Sequence, residues 1–411
     1  MSRAAWLWRL LSRRLWFRAA GFSVAAVLLA LFAAVIAPWV PYDLSAKIGA
    51  DAVDNILQII ASSMLAVTTF SLTAMVSAYS AATSTVTPRA VKLLLEDTTS
   101  QNALSTFLGG FLFAIVGICA LSTGLYGEQG RVILFAGTIV VILLIVLTLL
   151  RWIEHIARFG RVHETIARIE QVAIKAAHRL PRDPVPAALA TGPAPVGARA
   201  VCCDGFGYVT HIDLDELEGC AAACGGEIRL AVLPGAFVDP ERPVAWLASD
   251  DEAIAARVRK AITIAHDRSY DNDPRFGLIV LSEIASRALS PAVNDPGTAL
   301  AALGAQLRVI AALFDREARD PSNVPLNVTI PALTFEDIVT DAFRPIARDG
   351  AAMVEVAVKL QKTLASAAHI APAMRDILGA AAREARERAD AALDHPADRE
   401  AVAQAHRAIG G

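Results

Sequence analysis

Charge is scarce in this chain. Only 19% of its 411 residues are charged against 55% apolar, and the formal net charge is −3. So apolar a composition excludes an ordinary soluble protein, and the missing basic excess excludes one that coats nucleic acid, so no nucleic-acid partner is expected. Cysteine is scarce, with five residues. Cys119 lies within an apolar run; Cys202, Cys203, Cys220 and Cys224 form an adjacent pair followed by C-x3-C. That is not the spacing of a regular zinc finger, and neither a metal nor a disulfide framework is expected. Also missing are G-x-S-x-G, H-E-x-x-H, a P-loop and G-x-G-x-x-G. No catalytic residue and no cofactor is therefore assigned, and a familiar enzyme class is disfavoured.

What is present is a series of long apolar runs. The arm MSRAAWLWRLLSRRLWFR holds five arginines and no acid, with Trp6, Trp8, Trp16 and Phe17 at the level where a membrane helix begins. Four spans are expected, at about 17–37, 56–79, 103–125 and 132–150, each long enough to cross a bilayer. The first ends in P-W-V-P rather than a small-residue cleavage site and reads as a retained span. The Lys/Arg bias puts the N terminus in the cytoplasm, and four spans return the C terminus there.

The second span lacks Asp, Glu, Lys and Arg, which disfavours a proton relay. Twelve Ser and Thr lie between Ser62 and Thr87. Such a face suits close packing on neighbouring helices, the lining of an aqueous path, or a segment skimming the interface. Ser62, Thr69, Thr73, Ser77 and Ser80 are the candidate pore-lining residues.

The remainder is more polar. Residues 1–155 read as a four-helix transmembrane domain and 156–195 as an amphipathic stem helix plus a Pro/Gly/Ala-rich linker. The alternation in 196–248 reads as a small β-rich module; its string VLPGAFVDPERPVAWL is similar to the half-motif of biotinyl/lipoyl barrel-sandwich folds, without the lysine that carries the prosthetic group. Residues 249–411 read as a helical cytoplasmic domain broken by loops and by a strand at L-N-V-T-I. The fold class is thus an α-helical polytopic membrane protein with a cytoplasmic α+β domain.

Two N-D-P motifs stand out, in HDRSYDNDPRFGL from His266 and RALSPAVNDPGTA from Arg287. Asp before Pro is a helix start: the carboxylate accepts first-turn amides and proline loses no hydrogen bond at the first helical position. Ser290-Pro291 reads as a helix stop. Two adjacent helix N-termini with arginines nearby also favour an anion. The candidate ligand or partner site is therefore Arg268, Asp271, Asp273, Arg275, Arg287, Ser290, Asn294, Asp295 and Thr298, open to a small anion or a protein partner; a cap-and-salt-bridge network is the alternative.

The patterns R-x-x-x-x-D-P-R-F-G-L and A-L-S-P-A-x-N-D-P-x-T-A, with F-S-L-T-A at Phe70–Ala74, T-P-R at Thr87–Arg89 and L-G-G-F at Leu108–Phe111, resemble the bacterial predicted membrane proteins of domain of unknown function 2254. The resemblance implies a bacterial inner-membrane protein and brings no activity to carry over. The expectation is an oligomeric channel- or transporter-like assembly in the bilayer, a homo-oligomer regulated or assembled by its cytoplasmic domain. Alternatives are a non-conducting scaffold or sensor with a protein partner, and a membrane-attached enzyme of unfamiliar type.

Overall fold

The computed structural model describes residues 17, 19–25, 27–28, 50–95, 97–123, 128–158, 161–180, 197–315, 317, 327–331 and 333–407. The described part of the first expected span is helical; the rest of it, the basic arm and the linker at 181–196 lie outside the described residues. The chain divides into two compact units. Among the described residues, the helical unit takes 17–85 and 91–161, and the C-terminal unit takes 162–407 together with Val86–Ala90.

In the helical unit, α1 (Ala50–Thr85), α3 (Thr98–Ser122) and α4 (Glu128–Arg158) cover the other three expected spans, and the short α2 (Pro88–Leu95) joins α1 to α3. Val53, Leu57, Ile60, Met64, Ser71 and Met75 recur at helical spacing and form the buried face of α1. They pack on α3, whose Phe107 and Phe113 are buried, and Trp152 of α4 closes the core with its ring edge-on to Phe107 and Phe70. The opposite sides stay apolar: Val140, Leu143, Leu144, Val146, Leu147 and Leu150 of α4 point outward. Outward apolar side chains on a long helix are what a lipid-facing surface requires. Asp97 caps α3, accepting from the Ser100 amide at 2.8 Å and lying 2.7 Å from Nε2 of His155.

The stem is not one helix with the fourth span. α4 ends at Arg158, and α5 (Val162–His178) starts anew in the other unit. Its buried stripe Ile166, Ile169, Ala173, Ala176 and Ala177 packs there against α8 (Pro274–Ala288) and α9 (Pro296–Phe314). Burial of that stripe explains why the stem follows the C-terminal unit.

The β-rich module consists of two small sheets. One has the order β1 (Arg199–Cys202), β5 (Pro243–Leu247), β3 (Ile228–Leu230), β7 (Val328–Thr329); the other has β4 (Phe237–Val238), β2 (Gly207–Ile212), β6 (Ile262–Ala265). Neither closes, so the barrel-sandwich likeness does not extend to a barrel. The reason lies in the strands: β7 arrives from far down the chain to pair parallel with β3, and β6 pairs with β2 in a stretch the sequence pattern assigns to helix. α6 (Leu214–Cys224), stopped by Gly225 in left-handed geometry, and α7 (Glu252–Ala261) cover the sheets over Leu217, Cys220, Ile228, Leu230, Leu247 and Val258.

The remaining helices are α8, α9, α10 (Phe335–Asp349), α11 (Val354–Ile370), α12 (Arg375–Ala392) and α13 (Pro396–Arg407). α9 is as long and apolar as a membrane span. Its apolarity is consumed inside the unit, where it packs on α5, α8 and α11 with Ala299, Leu303, Val309 and Ile310 fully buried. A helix apolar on all sides is a core helix as readily as a span.

Candidate functional site

Both N-D-P motifs start helices. Asp273 Oδ1 accepts from the Phe276 amide at 3.1 Å at the head of α8, and Asp295 Oδ1 accepts from the Thr298 amide at 3.1 Å at the head of α9. Proline follows each cap, where a missing N–H costs nothing.

The first motif is the more deeply buried. Asp273 is 2% exposed, and its Oδ2 receives Nε and Nη2 of Arg268 at 2.8 and 2.7 Å. The guanidinium lies over the Phe276 ring, 5.2 Å from its centroid. Burial pushes the Asp273 carboxyl up from the usual aspartate range, and the Arg268 charge opposes that shift. The Pro234-Gly235 turn of the β-module closes over this pair. A Cβ at Gly235, whose φ is +92, would stand 2.1 Å from Asp273 Oδ2. Asn272 donates through Nδ2 to the Thr210 carbonyl at 3.3 Å, which ties the motif to β2. Asp271 accepts from Ser269, and its carbonyl from Arg179 of the segment after α5 at 2.7 Å. Arg275 bridges to α10, with Nε 2.9 Å from Asp341 and Nη1 2.8 Å from Asp337.

The second motif is a compact stop-and-start. The Ser290 carbonyl accepts the amides of Val293 and Asn294, and Ser290 Oγ donates to the Arg287 carbonyl at 2.7 Å. Asn294 has φ +50 and is the one non-glycine residue in left-handed geometry among the described residues. Asparagine tolerates that region better than other side chains, which accounts for its place before the cap. Thr298 Oγ1 donates to Asp295 Oδ2 at 2.6 Å.

Eight of the nine candidate residues therefore fall into two groups. Arg268, Asp271, Asp273 and Arg275 surround the start of α8; Ser290, Asn294, Asp295 and Thr298 form the turn between α8 and α9. Arg287 reaches elsewhere: Nη1 donates to the Val86 carbonyl at 2.9 Å. There the structure adds residues the motifs do not reveal. Tyr270 donates to the Arg89 carbonyl at 3.1 Å, and Arg89 pairs with Glu283 of α8. The T-P-R segment at the end of α1 is thereby built into the C-terminal unit, although both its flanks belong to the helical unit. The sequence signal was the T-P-R itself.

The polar face of α1 is regular. Ser62, Thr69, Thr73, Ser77 and Ser80 are all exposed, and at 3.6 residues per turn they fall within an arc of about 80°. Exposed Leu65, Leu72 and Val76 flank the arc on one side, Ile59 and Phe70 on the other. Ser62, Thr69 and Thr73 donate their hydroxyl protons to carbonyls one turn earlier, at 2.9, 2.9 and 3.0 Å. Each oxygen keeps its lone pairs for an outside donor or cation.

Among the described residues no group of three or more His, Cys, Asp or Glu is placed to hold a metal. Burial pushes the thiols of Cys202 and Cys220 up, away from the reactive thiolate.

A family model described as a predicted membrane protein, DUF2254, matches residues 12–366. The chain is also 25% identical over 244 residues to the uncharacterized protein Rv1290c of Mycobacterium tuberculosis and to the uncharacterized protein Mb1321c of Mycobacterium bovis. These alignments cover 56% of this chain and 46% of each relative, so the chain spans about half the length of the curated relatives it matches. No solved structure matches it.

Proposed function

Because the chain belongs to the predicted membrane protein family DUF2254, we propose that it acts within a bilayer as an oligomeric conduit in which α1 lines the path. The single observation that carries this reading is the arc of exposed hydroxyls on α1, set between two apolar flanks. Facing acyl chains, the arc would gain nothing; facing the same arc of further copies, it encloses a polar, uncharged lumen while the flanks supply helix contacts. Because the hydroxyl protons of Ser62, Thr69 and Thr73 are committed to the helix, the lumen presents their oxygens as acceptors. That lining favours cations and small hydrogen-bond-donating solutes over anions. The basic N-terminal arm supports an inner-membrane protein with its N and C termini in the cytoplasm. Tyr270, Glu283 and Arg287 bind the Val86–Ala90 segment that follows α1 in the chain, and a regulatory input enters at that segment.

Vesicle flux tests this. Purified protein reconstituted in lipid vesicles is expected to pass monovalent cations above protein-free vesicles. Thr69→Val with Thr73→Val should cut that flux by roughly thirtyfold, since it removes two acceptors worth about 1 kcal/mol each. Flux equal to that of empty vesicles, or unchanged in the variant, removes the conduit reading.

A further inference from the structure

A cleft of about 540 Å³ opens between α8, α10 and α12, lined by none of the nine candidate residues. Its volume is that of a site for a small organic molecule. Arg344, Arg348 and Arg388 line it, and so do Glu283 and Asp341. The arginines engage neighbouring acids with one edge only. Arg348 gives Nε and Nη2 to Asp349, Arg388 gives the same two nitrogens to Glu384, and Arg344 reaches Glu384 only at 3.5 Å. A guanidinium has five donors in a fixed fork, so each retains donors for an oxyanion. The two acids are balanced by cations outside the cleft lining, Glu283 by Arg89 and Asp341 by Arg275. Their remaining lone pairs are acceptors for hydroxyl groups.

Two further features point to an occupant. Ser282 lines the cleft, is 1% exposed, and its Oγ has no hydrogen-bond partner. A buried hydroxyl left unpaired is costly unless a ligand or water meets it. Pro345, also in the lining, lies inside α10 and has no N–H, so the Asp341 carbonyl loses its intrahelical donor at the cleft wall.

We propose that this cleft binds a small phosphorylated, hydroxyl-bearing ligand. The phosphate lies on Arg344, Arg348 and Arg388, and the hydroxyls meet Glu283, Asp341 and Ser282. Arginine forks match phosphate geometry, and carboxylates match hydroxyl donors, so one wall reads each end of the ligand. Free sugar phosphates and phosphorylated, hydroxylated lipid headgroups share this chemistry.

The test uses full-length protein in phosphatidylcholine nanodiscs, titrated by calorimetry with ribose 5-phosphate, ribose and inorganic phosphate. Ribose 5-phosphate is expected to bind saturably and more tightly than either control. Arg344→Gln and Arg348→Gln should each weaken it roughly tenfold, whereas Arg242→Gln, on a β-module turn, should leave it unchanged. In a parallel arm, vesicles with and without phosphatidylglycerol are compared. Binding confined to phosphatidylglycerol vesicles and weakened by the same two variants assigns the site to a lipid headgroup and upholds it. Hydrogen exchange on the unmutated protein supplies a readout independent of variant folding: the ligand should protect 279–286 and 340–348. The proposal is overturned if no probe binds in either arm, if ribose binds as well as its phosphate, if affinity is unchanged in both variants, or if protection falls outside those segments.

Discussion

At the residue scale the decisive side chain is Asp273, because it does two things at once. It caps α8 and neutralises Arg268 in a space sealed by the Gly235 turn. Removing one partner of a buried pair leaves the other charge uncompensated, at a cost of about 3–5 kcal/mol. Arg268→Leu should therefore lower the thermal midpoint of the detergent-solubilised protein sharply. Adding Asp273→Asn should recover part of the loss, since asparagine still caps a helix and brings no charge. If the double variant is less stable than Arg268→Leu alone, the pair does not act this way. Asn294 shows the same economy without charge: its left-handed backbone lets the chain leave α8 and enter α9 within a few residues.

At the element scale, helices are joined by polar anchors as well as by apolar faces. Gly277 of α8 meets Ala173 of α5 so closely that a Cβ there would stand 2.4 Å from the alanine Cβ, so this crossing requires glycine. α13 is tied to α11 through His406, whose Nδ1 donates to Gln361 Oε1 at 2.9 Å, while Gln361 Nε2 donates to the Ala382 carbonyl of α12. Burial first, then Arg386 and Arg383, hold the His406 pKa below the ordinary histidine value, with Asp390 opposing. Below about pH 6.5 the unfolded chain takes up this proton before the folded one does. The stabilisation is thus complete above that pH and is lost as pH falls toward the depressed folded value. Denaturation followed at about pH 7.5 and about pH 5.5 should show a smaller acid loss in His406→Gln than in the parent chain. An equal or larger loss in the variant places the acid sensitivity elsewhere.

At the scale of the whole molecule, the two units use apolar residues for opposite ends. α4 displays Val140, Leu143 and Leu147 outward, whereas α9, also long and apolar enough to cross a membrane, hides Leu303, Val309 and Ile310 within the C-terminal unit. The conduit reading adds further copies, and α1 is where they would meet. Thr73→Cys should cross-link between copies in lipid under oxidation, while Val140→Cys on the outward face of α4 should not. Cross-linking that is equal at both positions, or absent at Thr73→Cys, rules out a shared axis lined by α1.

The sequence by itself determined the local structure: the helices at three of the expected spans, the starts at Asp273 and Asp295, the stop at Gly225 and the one-faced hydroxyls of α1. These follow from periodicity, caps and glycine, which act over a turn or two of chain. Only tertiary structure decided the rest. Ile262–Ala265 became a strand because β2 offered an open edge, and the expected barrel stayed open because β7 joined from far along the chain. The stem broke because the stripe of α5 is buried in the C-terminal unit. The cleft was hidden for the same reason. Arg344, Arg348 and Arg388 each sit in alternating Ala, Arg and acidic stretches that read as solvated helix faces, and their meeting with Ser282 depends on how α8, α10 and α12 pack, which no local pattern encodes.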